Sequence, residues 1–515
     1  MAWSVLGVAD QEIGAAVQRL LQRSLGFVML IVIPFTIATT WLALYGLHVL
    51  SLVVLYLRHR HDRLQPIALT DYPIVTVQLP MYNEPHVVER VIEAAANLDW
   101  PHDRLQIQVL DDSTDRTTAL ARSRIEAQRA RGLDIELIHR SNRAAFKAGA
   151  LSAGLDQATG SFIAIFDADF VPSPNFLKLM LPHFTDNSIG FVQARWDHLS
   201  TSAPLAQALA IGVDGHFTVE QFSRNRSNLP MIFNGSAGIW RRECIESSGG
   251  WGQDTLCEDM DLSLRAAMQG WRCVFVPDVT VLQEEPDQVV SIKTQHGRWA
   301  KGGAQCLRKL SVPLMKSKLT LRQKFFSLMY LSGYAAHLMM LIVILTWLPL
   351  SLHPQWLQQM PLTFLGLGGI GLPLEHVLSQ MVLYRDWRRK LIMFPLLLAI
   401  GFGLTFNNAL NVVEGFLNRS IEFKRTPKRG SSAQSSIGID PKQTRQAWIE
   451  VALSIYTLIS AGFMIQAGQI ITALILVLYS VGFALIGGGT LQSVLSLTRV
   501  RADRSTRSVS DEVLG

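Results

Sequence analysis

Long stretches without a charged residue are the feature of this sequence that most restricts its fold. Residues 25–57 and 451–498 contain no Asp, Glu, Lys or Arg, residues 325–384 contain only Glu375, and residues 391–413 are again uncharged. About 20 apolar residues cross a bilayer, whereas runs of about 10–14 are typical of buried helices in soluble proteins. Only 17% of the residues are charged, against about 25% in soluble domains. The sequence therefore predicts an integral membrane protein.

Basic residues beside these stretches predict the orientation of the chain. Cytoplasmic loops carry an excess of Lys and Arg, and such residues lie at both ends of 58–324 and on both sides of 391–413. We therefore expect 58–324 to be cytosolic, and 391–413 to be interfacial, re-entrant or a tight pair of helices. The first stretch is too long for a removable signal peptide. Five or six spans are expected, in 25–57, 326–350, 361–384, 451–468 and 471–497.

The net charge of +6 does not indicate a nucleic-acid-binding protein. Most of the excess Lys and Arg residues lie next to the apolar stretches, where they attract anionic lipid headgroups, so we expect no nucleic-acid partner. The four cysteines, Cys244, Cys257, Cys273 and Cys306, have no C-x-x-C spacing and fall in the segment expected to be cytosolic. They predict reduced, mostly packed thiols rather than disulfides or a zinc site.

Short β-branched runs alternate with amphipathic stretches between residues 74 and 195, a pattern typical of βα units around a largely parallel sheet. Acidic residues follow two of the predicted strands directly, Asp111 and Asp112 after one, Asp167 and Asp169 after another. Ligands of open α/β sheets bind beyond the carboxyl ends of the strands, so we expect these carboxylates at one edge of the sheet. The predicted strands are 74–79, 105–110, 135–139 and 162–166, and the predicted helices are 86–98, 115–131 and 144–155.

The pair Asp167 and Asp169 suggests a ligand site. No G-x-G-x-x-G or P-loop sequence follows any predicted strand, which argues against a dinucleotide-binding or P-loop protein. Two carboxylates one residue apart at a strand end suit a divalent cation that also holds phosphate oxygens. A solvated turn or a helix N-cap would explain the same pair.

Two further motifs lie downstream. The acidic run Glu258-Asp259-Met260-Asp261 opens a predicted helix, and because acids are favourable in a first helical turn, capping alone would explain it. Gln295, Arg298 and Trp299 lie in the basic amphipathic stretch 289–310, which predicts a helix on a membrane surface. A solvated basic helix would explain the lysines of this stretch but not its Arg-Trp pair.

In this order, the motifs resemble those of processive family 2 glycosyltransferases, the group that contains cellulose, hyaluronan and chitin synthases. That family carries the series D, DxD, TED and QxxRW, and the corresponding residues here are Asp111-Asp112, Asp167-Ala168-Asp169, Glu258-Asp259 and Gln295-x-x-Arg298-Trp299. The resemblance covers nearly the whole chain and is closest to cellulose-synthase-like mannan and glucomannan synthases. Further matches are Pro80-Met81-Tyr82-Asn83-Glu84, Phe146-Lys147-Ala148-Gly149-Ala150 and Asn234-Gly235-Ser236-Ala237.

Two positions depart from the family's motifs. Cys257 takes the place of the threonine in TED, which should be tolerated because that residue does not itself transfer a proton. Arg425 takes the place of the valine in an FxVTxK gating loop, while Phe423, Thr426 and Lys428 match it. The resemblance therefore implies a gating loop at this position.

The resemblance implies a membrane α/β protein in which a cytosolic GT-A glycosyltransferase domain, with a mixed, mainly parallel sheet and helices on both faces, is inserted between transmembrane helices. An amphipathic segment and the first span are expected in 1–63, the GT-A domain in 64–286, and interface helices with the QxxRW motif in 287–324. A transmembrane bundle is expected in 325–498, with an interfacial segment in 391–417 and the gating loop in 418–448. A polar cytosolic tail is expected in 499–515.

The chemistry that the resemblance implies is inverting transfer of a hexose from UDP-glucose or GDP-mannose to the growing end of a β-linked polysaccharide, which then leaves between the spans. Asp259, with Glu258 beside it, is the implied catalytic base. Asp167 and Asp169 are implied ligands of Mg²⁺ or Mn²⁺, and Gln295 and Trp299 are implied to bind the acceptor. The implied contacts to the nucleotide sugar are Tyr82, Asn83, Glu84, Asp112, Lys147, Asp167, Arg298 and Lys428.

Two other functions stay open from the sequence. A lipid glycosyltransferase, which adds one hexose to a diacylglycerol or ceramide-type acceptor, shares the carboxylates and the membrane location. A scaffold that keeps the fold without chemistry is disfavoured because every expected carboxylate is present. The expected partners are a nucleotide sugar, a glycan or lipid acceptor and the bilayer, in a bacterial inner membrane or a Golgi-type membrane, and no protein partner is indicated.

Overall fold

A computed structural model of the protein describes residues 26–199, 202–352, 366, 368–417 and 441–513, with side chains as far as residue 496. Its strands are β1 (Val75–Met81), β2 (Leu105–Asp111), β3 (Asp134–His139), β4 (Phe162–Ile165), β5 (Ile189–His198), β6 (Gly238–Arg241) and β7 (Arg272–Gln283). The helices up to β7 are α1 (Ile33–His59), α2 (Val88–Ala96), α3 (Thr117–Arg129), α4 (Phe146–Gln157), α5 (Phe176–Met180), α6 (Pro204–Gly215), α7 (Phe222–Arg226), α8 (Arg242–Ser247) and α9 (Glu258–Met268). Those after β7 are α10 (Val289–Lys316), α11 (Leu321–Leu331), α12 (Ala335–Ser351), α13 (Gly371–Leu383), α14 (Trp387–Lys390), α15 (Phe394–Gly403), α16 (Thr405–Phe416), α17 (Pro441–Gln466) and α18 (Ile470–Val513).

The seven strands form one mixed sheet in the order β3-β2-β1-β4-β6-β5-β7. Strands β1 to β4 pair in parallel, as does β5 with β7, while β6 runs antiparallel to both of its neighbours. The predicted strands and helices between residues 74 and 166 are confirmed to within a few residues at each end. Parallel pairing of β1, β2 and β4 brings the residues that follow each strand to the same edge.

Apolar side chains cover both faces of the sheet, which confirms the expected helix layers on two sides. Val77 and Leu79 of β1 pack with α2 and α3 in one core, whereas Ile163 of β4 packs with α4 in a second core. On the α4 side, β1 and β2 carry buried polar residues, and Gln78 donates a hydrogen bond to Gln108. Gly154 of α4 lies directly over this pair, where a Cβ atom would come within 2.5 Å of the Gln78 amide. The missing side chain therefore lets the helix lie close to the sheet.

Within the described part of the chain, three helices are long and apolar enough to cross a membrane: Val28–His59, Pro441–Gln466 and Ile470–Ser496. They correspond to the predicted spans in 25–57, 451–468 and 471–497. Two bent pairs add up to two more, Leu321–Leu331 with Ala335–Ser351 at 63° and Trp387–Gly403 with Thr405–Phe416 at 44°. The second bend is compatible with the re-entrant segment or tight pair of helices expected in 391–413, and the interfacial alternative stays a prediction. The orientation of these helices relative to the membrane stays a prediction.

The predicted span 361–384 lies partly outside the described residues. Its described helix, α13, has only 13 residues and is not among the candidate spans of the described chain. The Cβ position of Gly46 in α1 would lie 1.8 Å from the Gly368 carbonyl oxygen, so small residues bring the chain before α13 against the first membrane helix. Residues 418–440 of the predicted gating loop, which include Phe423, Thr426 and Lys428, lie outside the described residues. The last part of the predicted loop, 441–448, is instead the start of helix α17.

The glycosyltransferase-like sheet region and the apolar helices share an extensive contact surface. The segment from α6 through α7 packs on α1 and α13, and Ser223 donates a hydrogen bond to the Leu52 carbonyl of α1 at 2.8 Å. On another side, α10 lies along α16, where a Cβ on Gly415 would come within 2.5 Å of the Lys301 carbonyl oxygen. The predicted membrane-surface helix is therefore a packing element between the sheet and the apolar helices.

Candidate active site

An open cleft of about 1150 Å³, including the solvent at its mouth, lies at the carboxyl edge of β1, β2 and β4. The sequence predicted that residues far apart in the chain would meet here. Among the residues that line the cleft are Tyr82, Glu84, Asp112, Lys147, Asp167, Asp169, Glu258, Asp259, Gln295, Arg298 and Trp299. The predicted carboxylates and the QxxRW motif therefore share one cavity.

The two aspartates after β2 have different surroundings. Asp111 is fully buried and accepts hydrogen bonds from the Ser113 backbone N–H, the Thr118 hydroxyl and His139. Burial would raise the pKa of Asp111, but these hydrogen bonds outweigh it and hold the pKa below its usual value. Asp111 therefore shapes the turn after β2, whereas Asp112 lines the cleft.

Asp112 is held by a two-pronged contact with a guanidinium group. Arg140 donates from Nε to Oδ1 at 2.8 Å and from Nη2 to Oδ2 at 2.6 Å. The same arginine donates to the Ala144 and Phe146 carbonyl oxygens, which ties the start of α4 to the end of β2. This bidentate geometry fixes the carboxylate plane, so Asp112 is presented to the cleft in one orientation.

Arg143 is a lining residue that the sequence did not single out. Its guanidinium carbon lies 3.3 Å from the centre of the Tyr82 ring, a cation–π arrangement in the lining of the cleft. Arg143, Ala145 and Phe146 all have positive φ, between 41° and 56°, a conformation that costs energy for residues with a side chain. The available signal was a basic residue in the turn between the predicted strand 135–139 and the following helix.

Asn83 does not line the described cleft. Its backbone N–H donates to the Ser113 hydroxyl at 2.8 Å, and its side-chain oxygen accepts from the Thr114 N–H at 2.8 Å. With φ at 53°, Asn83 joins the turns after β1 and β2 to one another. Its expected contact with the nucleotide stays a prediction, while the structure gives it a part in holding the two turns together.

Lys147 lies between two carboxylates and a backbone carbonyl. Its Nζ donates to Asp167 at 2.5 Å and to the Gly235 carbonyl at 2.8 Å, and lies 3.9 Å from Glu258. Burial opposes the positive charge, but the charges of Asp167 and Glu258 outweigh it and raise the pKa of Lys147. The cleft therefore contains a lysine that stays protonated near neutral pH.

Asp259 lies in the first turn of α9 and has an unusually high pKa for an aspartate. Asp259 is half-buried and lines the cleft, and the loss of water around its carboxylate and then the charge of Glu258 raise its pKa to about 7. Burial likewise raises the pKa of Glu258, against the opposing charge of Lys147. A Cβ on Gly235, where φ is 80°, would lie 2.9 Å from the Asp259 carboxylate oxygen, so the Gly235 turn passes directly over it. Asp259 therefore combines a place in the cleft lining with a pKa near neutrality.

The carboxylates of Asp167 and Asp169 suit a divalent cation that also binds the phosphate oxygens of a substrate. Both line the cleft, and the Asp167 side chain is 32% exposed. The backbone N–H of Asp167 donates to Ser236 at 2.9 Å, which fixes the turn after β4. In the described residues no group of three or more His, Cys, Asp or Glu forms a closed metal cage. A cation here would take its remaining ligands from water or phosphate oxygens, as Mg²⁺ commonly does.

The opposite wall of the cleft is one face of α10. Gln295, Arg298 and Trp299 are spaced i, i+3 and i+4, so they lie on the same side of the helix, and all three line the cleft. The Trp299 ring packs edge-on against His296, with 5.2 Å between centroids. Further along α10, a Cβ on Gly302 would lie 2.4 Å from the Cys257 sulfur. The residue that replaces threonine in the family's TED motif is therefore packed against the motif helix.

Several other side chains complete the lining. Besides Arg143, they include Met81, Trp196, Asn234 and Gln283. Trp196 and Gln283 belong to β5 and β7, which were not assigned from the sequence, so their place at the cleft was missed. Asn234 was noted only as part of a motif; its side chain contacts Gln221 and His216.

Comparison with known proteins agrees with this geometry. Residues 73–302 match the family model described as "Glycosyltransferase like family 2". Residues 73–302 form a family 2 glycosyltransferase domain. The cleft, with its acidic turns and the QxxRW motif, lies within this domain.

The curated relatives of this glycosyltransferase domain have consistent names. A "Probable glucomannan 4-beta-mannosyltransferase 7" of Oryza sativa subsp. japonica is 41% identical over 265 residues, which is 50% of this chain and 45% of that protein. Two relatives from Arabidopsis thaliana, "Probable glucomannan 4-beta-mannosyltransferase 11" and "Glucomannan 4-beta-mannosyltransferase 2", are each 40% identical over 50% of this chain, and over 59% and 49% of their own lengths. The chain thus spans about half the length of the curated relatives it matches.

Among solved structures, the chain is similar to a mannosyltransferase from Pyrobaculum calidifontis in complex with GDP-Man and Mn²⁺. The TM-score is 0.52 at 22% identity, and the match covers 75% of this chain and all of that one. This likeness supports the expected GT-A-type fold, with a mixed and mainly parallel sheet.

Proposed function

We propose that this protein is a membrane-bound synthase that transfers mannose from GDP-mannose to the end of a growing β-linked glycan, with inversion at the anomeric carbon. The observation that carries the proposal is the meeting, in one cleft, of the acidic turns of the glycosyltransferase domain with the QxxRW face of α10. The names of the relatives at about 40% identity favour mannosyl transfer over other hexosyl transfers. They do so only for the half of the chain that matches.

Asp259 is the base in this proposal. A sugar hydroxyl has a high pKa and needs a carboxylate within hydrogen-bond reach as it attacks the anomeric carbon. Burial and the neighbouring Glu258 bring the pKa of Asp259 to about 7, near the optimum for a base that works at neutral pH. Inversion requires only this one base, on the side of the anomeric carbon opposite the departing diphosphate. Glu258, 3.9 Å from Lys147, keeps that lysine and the base in the same charge network.

Positive groups face the diphosphate that leaves. Lys147, held by Asp167 and the Gly235 carbonyl, and Arg298 on α10 both line the cleft and would stabilise charge that develops on the phosphate oxygens. A Mg²⁺ or Mn²⁺ ion held by Asp167 and Asp169 would neutralise further charge on the diphosphate. Asp112, Tyr82 and Arg143, which also line the cleft, would contact the nucleobase and ribose. From the proposed gating loop, Lys428 would make an additional contact to the phosphates.

Trp299 provides the acceptor platform in this proposal, with Gln295 beside it. An indole ring offers an apolar face to the C–H side of a sugar ring without requiring one pattern of hydroxyl groups. Elongation fits such a surface because each new terminal sugar occupies the same position. We further propose that the domain faces the cytosol and that the glycan leaves between the apolar helices that contact α10.

The proposal is tested with the full-length chain in membrane vesicles supplied with Mg²⁺ or Mn²⁺. Radiolabelled GDP-mannose, UDP-glucose and GDP-glucose are supplied separately, and the products are digested with β-mannanase or β-glucanase. A ladder from GDP-mannose that β-mannanase removes is the expected result. A glucanase-sensitive polymer from UDP-glucose would overturn the donor assignment, and a single labelled glycolipid would favour the lipid glycosyltransferase. Absence of turnover with every donor would favour the non-catalytic scaffold.

A further inference from the structure

Two lysines lie on either side of the QxxRW motif in α10, and both pair with glutamates from the last part of the chain. We propose that the ion pairs Lys293–Glu450 and Lys301–Glu414 hold the motif helix in the orientation that glycosyl transfer requires. The four side chains are positioning residues, since none of them lines the described cleft. The inference rests on the function proposed above. It means that the apolar helices control the position of α10, the wall of the cleft that would bind the acceptor.

The first pair is completely enclosed. Lys293 Nζ lies 2.8 Å from a Glu450 oxygen of α17, and the two side chains are 3% and 0% exposed. The same Nζ lies 3.5 Å from the Thr490 hydroxyl of α18. Asn407 of α16 donates to the Lys293 carbonyl at 3.1 Å. This one residue of α10 is therefore connected to α16, α17 and α18.

The second pair is partly open to solvent. Lys301 Nζ lies 3.5 Å from a Glu414 oxygen of α16, with the two side chains 9% and 27% exposed. The other Glu414 oxygen lies 2.5 Å from Lys442 of α17. Glu414 thus joins the motif helix to both α16 and α17.

The spacing of the two pairs matches the motif. Lys293 precedes Gln295 by two residues and Lys301 follows Trp299 by two, so the pairs lie about 12 Å apart along a helix that rises about 1.5 Å per residue. With Gly297, the lysines form an i, i+4, i+8 row that faces α16, where a Cβ on Gly297 would lie 2.9 Å from Asn411. Gln295, Arg298 and Trp299 lie on a different side and face the cleft. A rotation of the helix that moved the motif out of the cleft would break both pairs.

Stability alone gives a weak reason for such an arrangement. Removing two charges from water costs several kcal/mol per ion, and well-packed apolar residues of the same volume often stabilise a protein as well or better. Ionisable groups among apolar helices are costly, and where they occur they pair and mark function. A buried ion pair differs from leucine packing in that a shift separating its two charges leaves them buried and unpaired, which costs about 3–5 kcal/mol. The two ion pairs therefore serve to fix the orientation of the motif helix.

The test uses the full-length chain in vesicles and three variants of the buried pair. E450Q keeps the shape of the side chain, K293M/E450M replaces the pair by apolar residues that can pack, and K293E/E450K exchanges the charges. Donor hydrolysis without acceptor transfer and sugar incorporated into polymer are measured separately, together with thermal stability. A misplacement of about 1 Å costs roughly a hundredfold in rate. We expect E450Q and K293M/E450M to lose at least about tenfold in polymer per donor hydrolysed, and the exchange to recover most of that loss.

The K293M/E450M variant distinguishes an effect on folding from an effect on the orientation of the motif helix. If K293M/E450M keeps the thermal stability of the wild type and makes polymer with unchanged coupling to donor use, the proposal is overturned. If polymer synthesis falls only in proportion to stability across all three variants, a structural role replaces the positioning role. E89Q serves as the control, because Glu89 pairs with Arg124 at 2.9 Å on the exposed surface with both side chains 46% exposed; it should leave coupling unchanged. A wild-type chain that makes no polymer would contradict the proposed function itself, independently of these variants.

Discussion

The two walls of the cleft are built in different ways. The wall at the sheet edge is held from within the glycosyltransferase domain, by Arg140 on Asp112, by Ser236 on the Asp167 turn and by Asn83 on the turn after β2. The wall formed by α10 is held from two sides, by the contact of Gly302 with Cys257 inside the domain and, outside it, by Gly297 against α16 and Lys293 paired with Glu450. The contacts that hold the sheet wall therefore lie within the domain, whereas those that hold the α10 wall also involve the apolar helices.

The two walls should therefore differ in what each needs in order to form. The hydrogen bonds of the sheet edge link residues that are close in the fold of the domain itself, so they form wherever the domain folds. The contacts of Gly297 and Lys293 in α10 require, in addition, that α16 and α17 be correctly arranged. Hydrolysis of the donor and extension of a polymer should then respond to different sets of substitutions, which the following variants test.

The largest effect is expected from Asp259→Asn, in the first turn of α9 beside the sheet wall. The amide cannot accept the acceptor proton, and general-base catalysis contributes about 10²–10⁴-fold, so transfer should fall by about a thousandfold or more. Nucleotide binding, measured by titration with GDP, should stay near that of the wild type because the change is nearly isosteric. Full turnover by this variant would remove Asp259 from the role of base.

The next largest effect is expected on the helix wall, from Trp299→Ala. Loss of the ring should reduce polymer synthesis by about a hundredfold, since misplacement of a reacting group has effects of that order. Donor hydrolysis should fall much less, because water needs no stacking surface. The two activities are followed in parallel by nucleotide release and by incorporation of labelled sugar, with Trp299→Phe as the control that keeps an aromatic face. Equal loss of both activities in Trp299→Ala would argue against acceptor stacking.

A matched pair of glycines tests the contact between the two walls. A Cβ on Gly302 would lie 2.4 Å from the Cys257 sulfur, whereas a Cβ on Gly303 would meet its nearest atom, on Tyr334, at 3.8 Å. Overpacking of this kind costs about 1–3 kcal/mol, so Gly302→Ala should push α10 from the start of α9 and lower polymer synthesis by about tenfold. Gly303→Ala should have little effect, since Ala is favoured over Gly in a helix. Indistinguishable activities of the two variants would show that this contact is not required.

The smallest effect is expected from pH. Because burial and Glu258 raise the pKa of Asp259 to about 7, the base becomes protonated as the pH falls, and kcat/KM should decrease about fivefold between pH 7 and pH 6. Glu258→Gln removes the charge that contributes to the raised pKa, so the acid limb of its normalised pH profile should move to lower pH. A limb that stays in place in Glu258→Gln would assign the titration to another group.

The sequence was most informative where structure depends on local pattern. Alternating strands and helices between residues 74 and 166 follow from periodicities that each element carries by itself, and the parallel order then brings Asp112, Asp167 and their neighbours to one edge. The motif spacing in 295–299 likewise required only helical geometry. These features were predicted and are confirmed.

Features that depend on distant partners were not predictable in the same way. Hydropathy gives the length of an apolar helix but not its neighbours, so the pairing of Lys293 with Glu450, 157 residues away, has no local signal. Arg143 was missed because its position over Tyr82 depends on a turn with positive φ at non-glycine residues, which residue type alone does not indicate. The number of spans stays open because the bends at α11–α12 and α15–α16 separate helices that are continuous in hydropathy.

The state of the four thiols makes this protein suitable for site-directed chemical labelling. Cys244, Cys257 and Cys306 are buried and Cys273 is partly so, and none forms a disulfide. Burial raises the pKa of Cys244 and of Cys273 to about 12 and that of Cys257 and Cys306 well above its usual value, so little reactive thiolate exists at neutral pH. A maleimide should therefore modify a single cysteine introduced at an exposed site while the native residues remain in place. Impermeant reagents could then report which side of the bilayer each connecting loop faces.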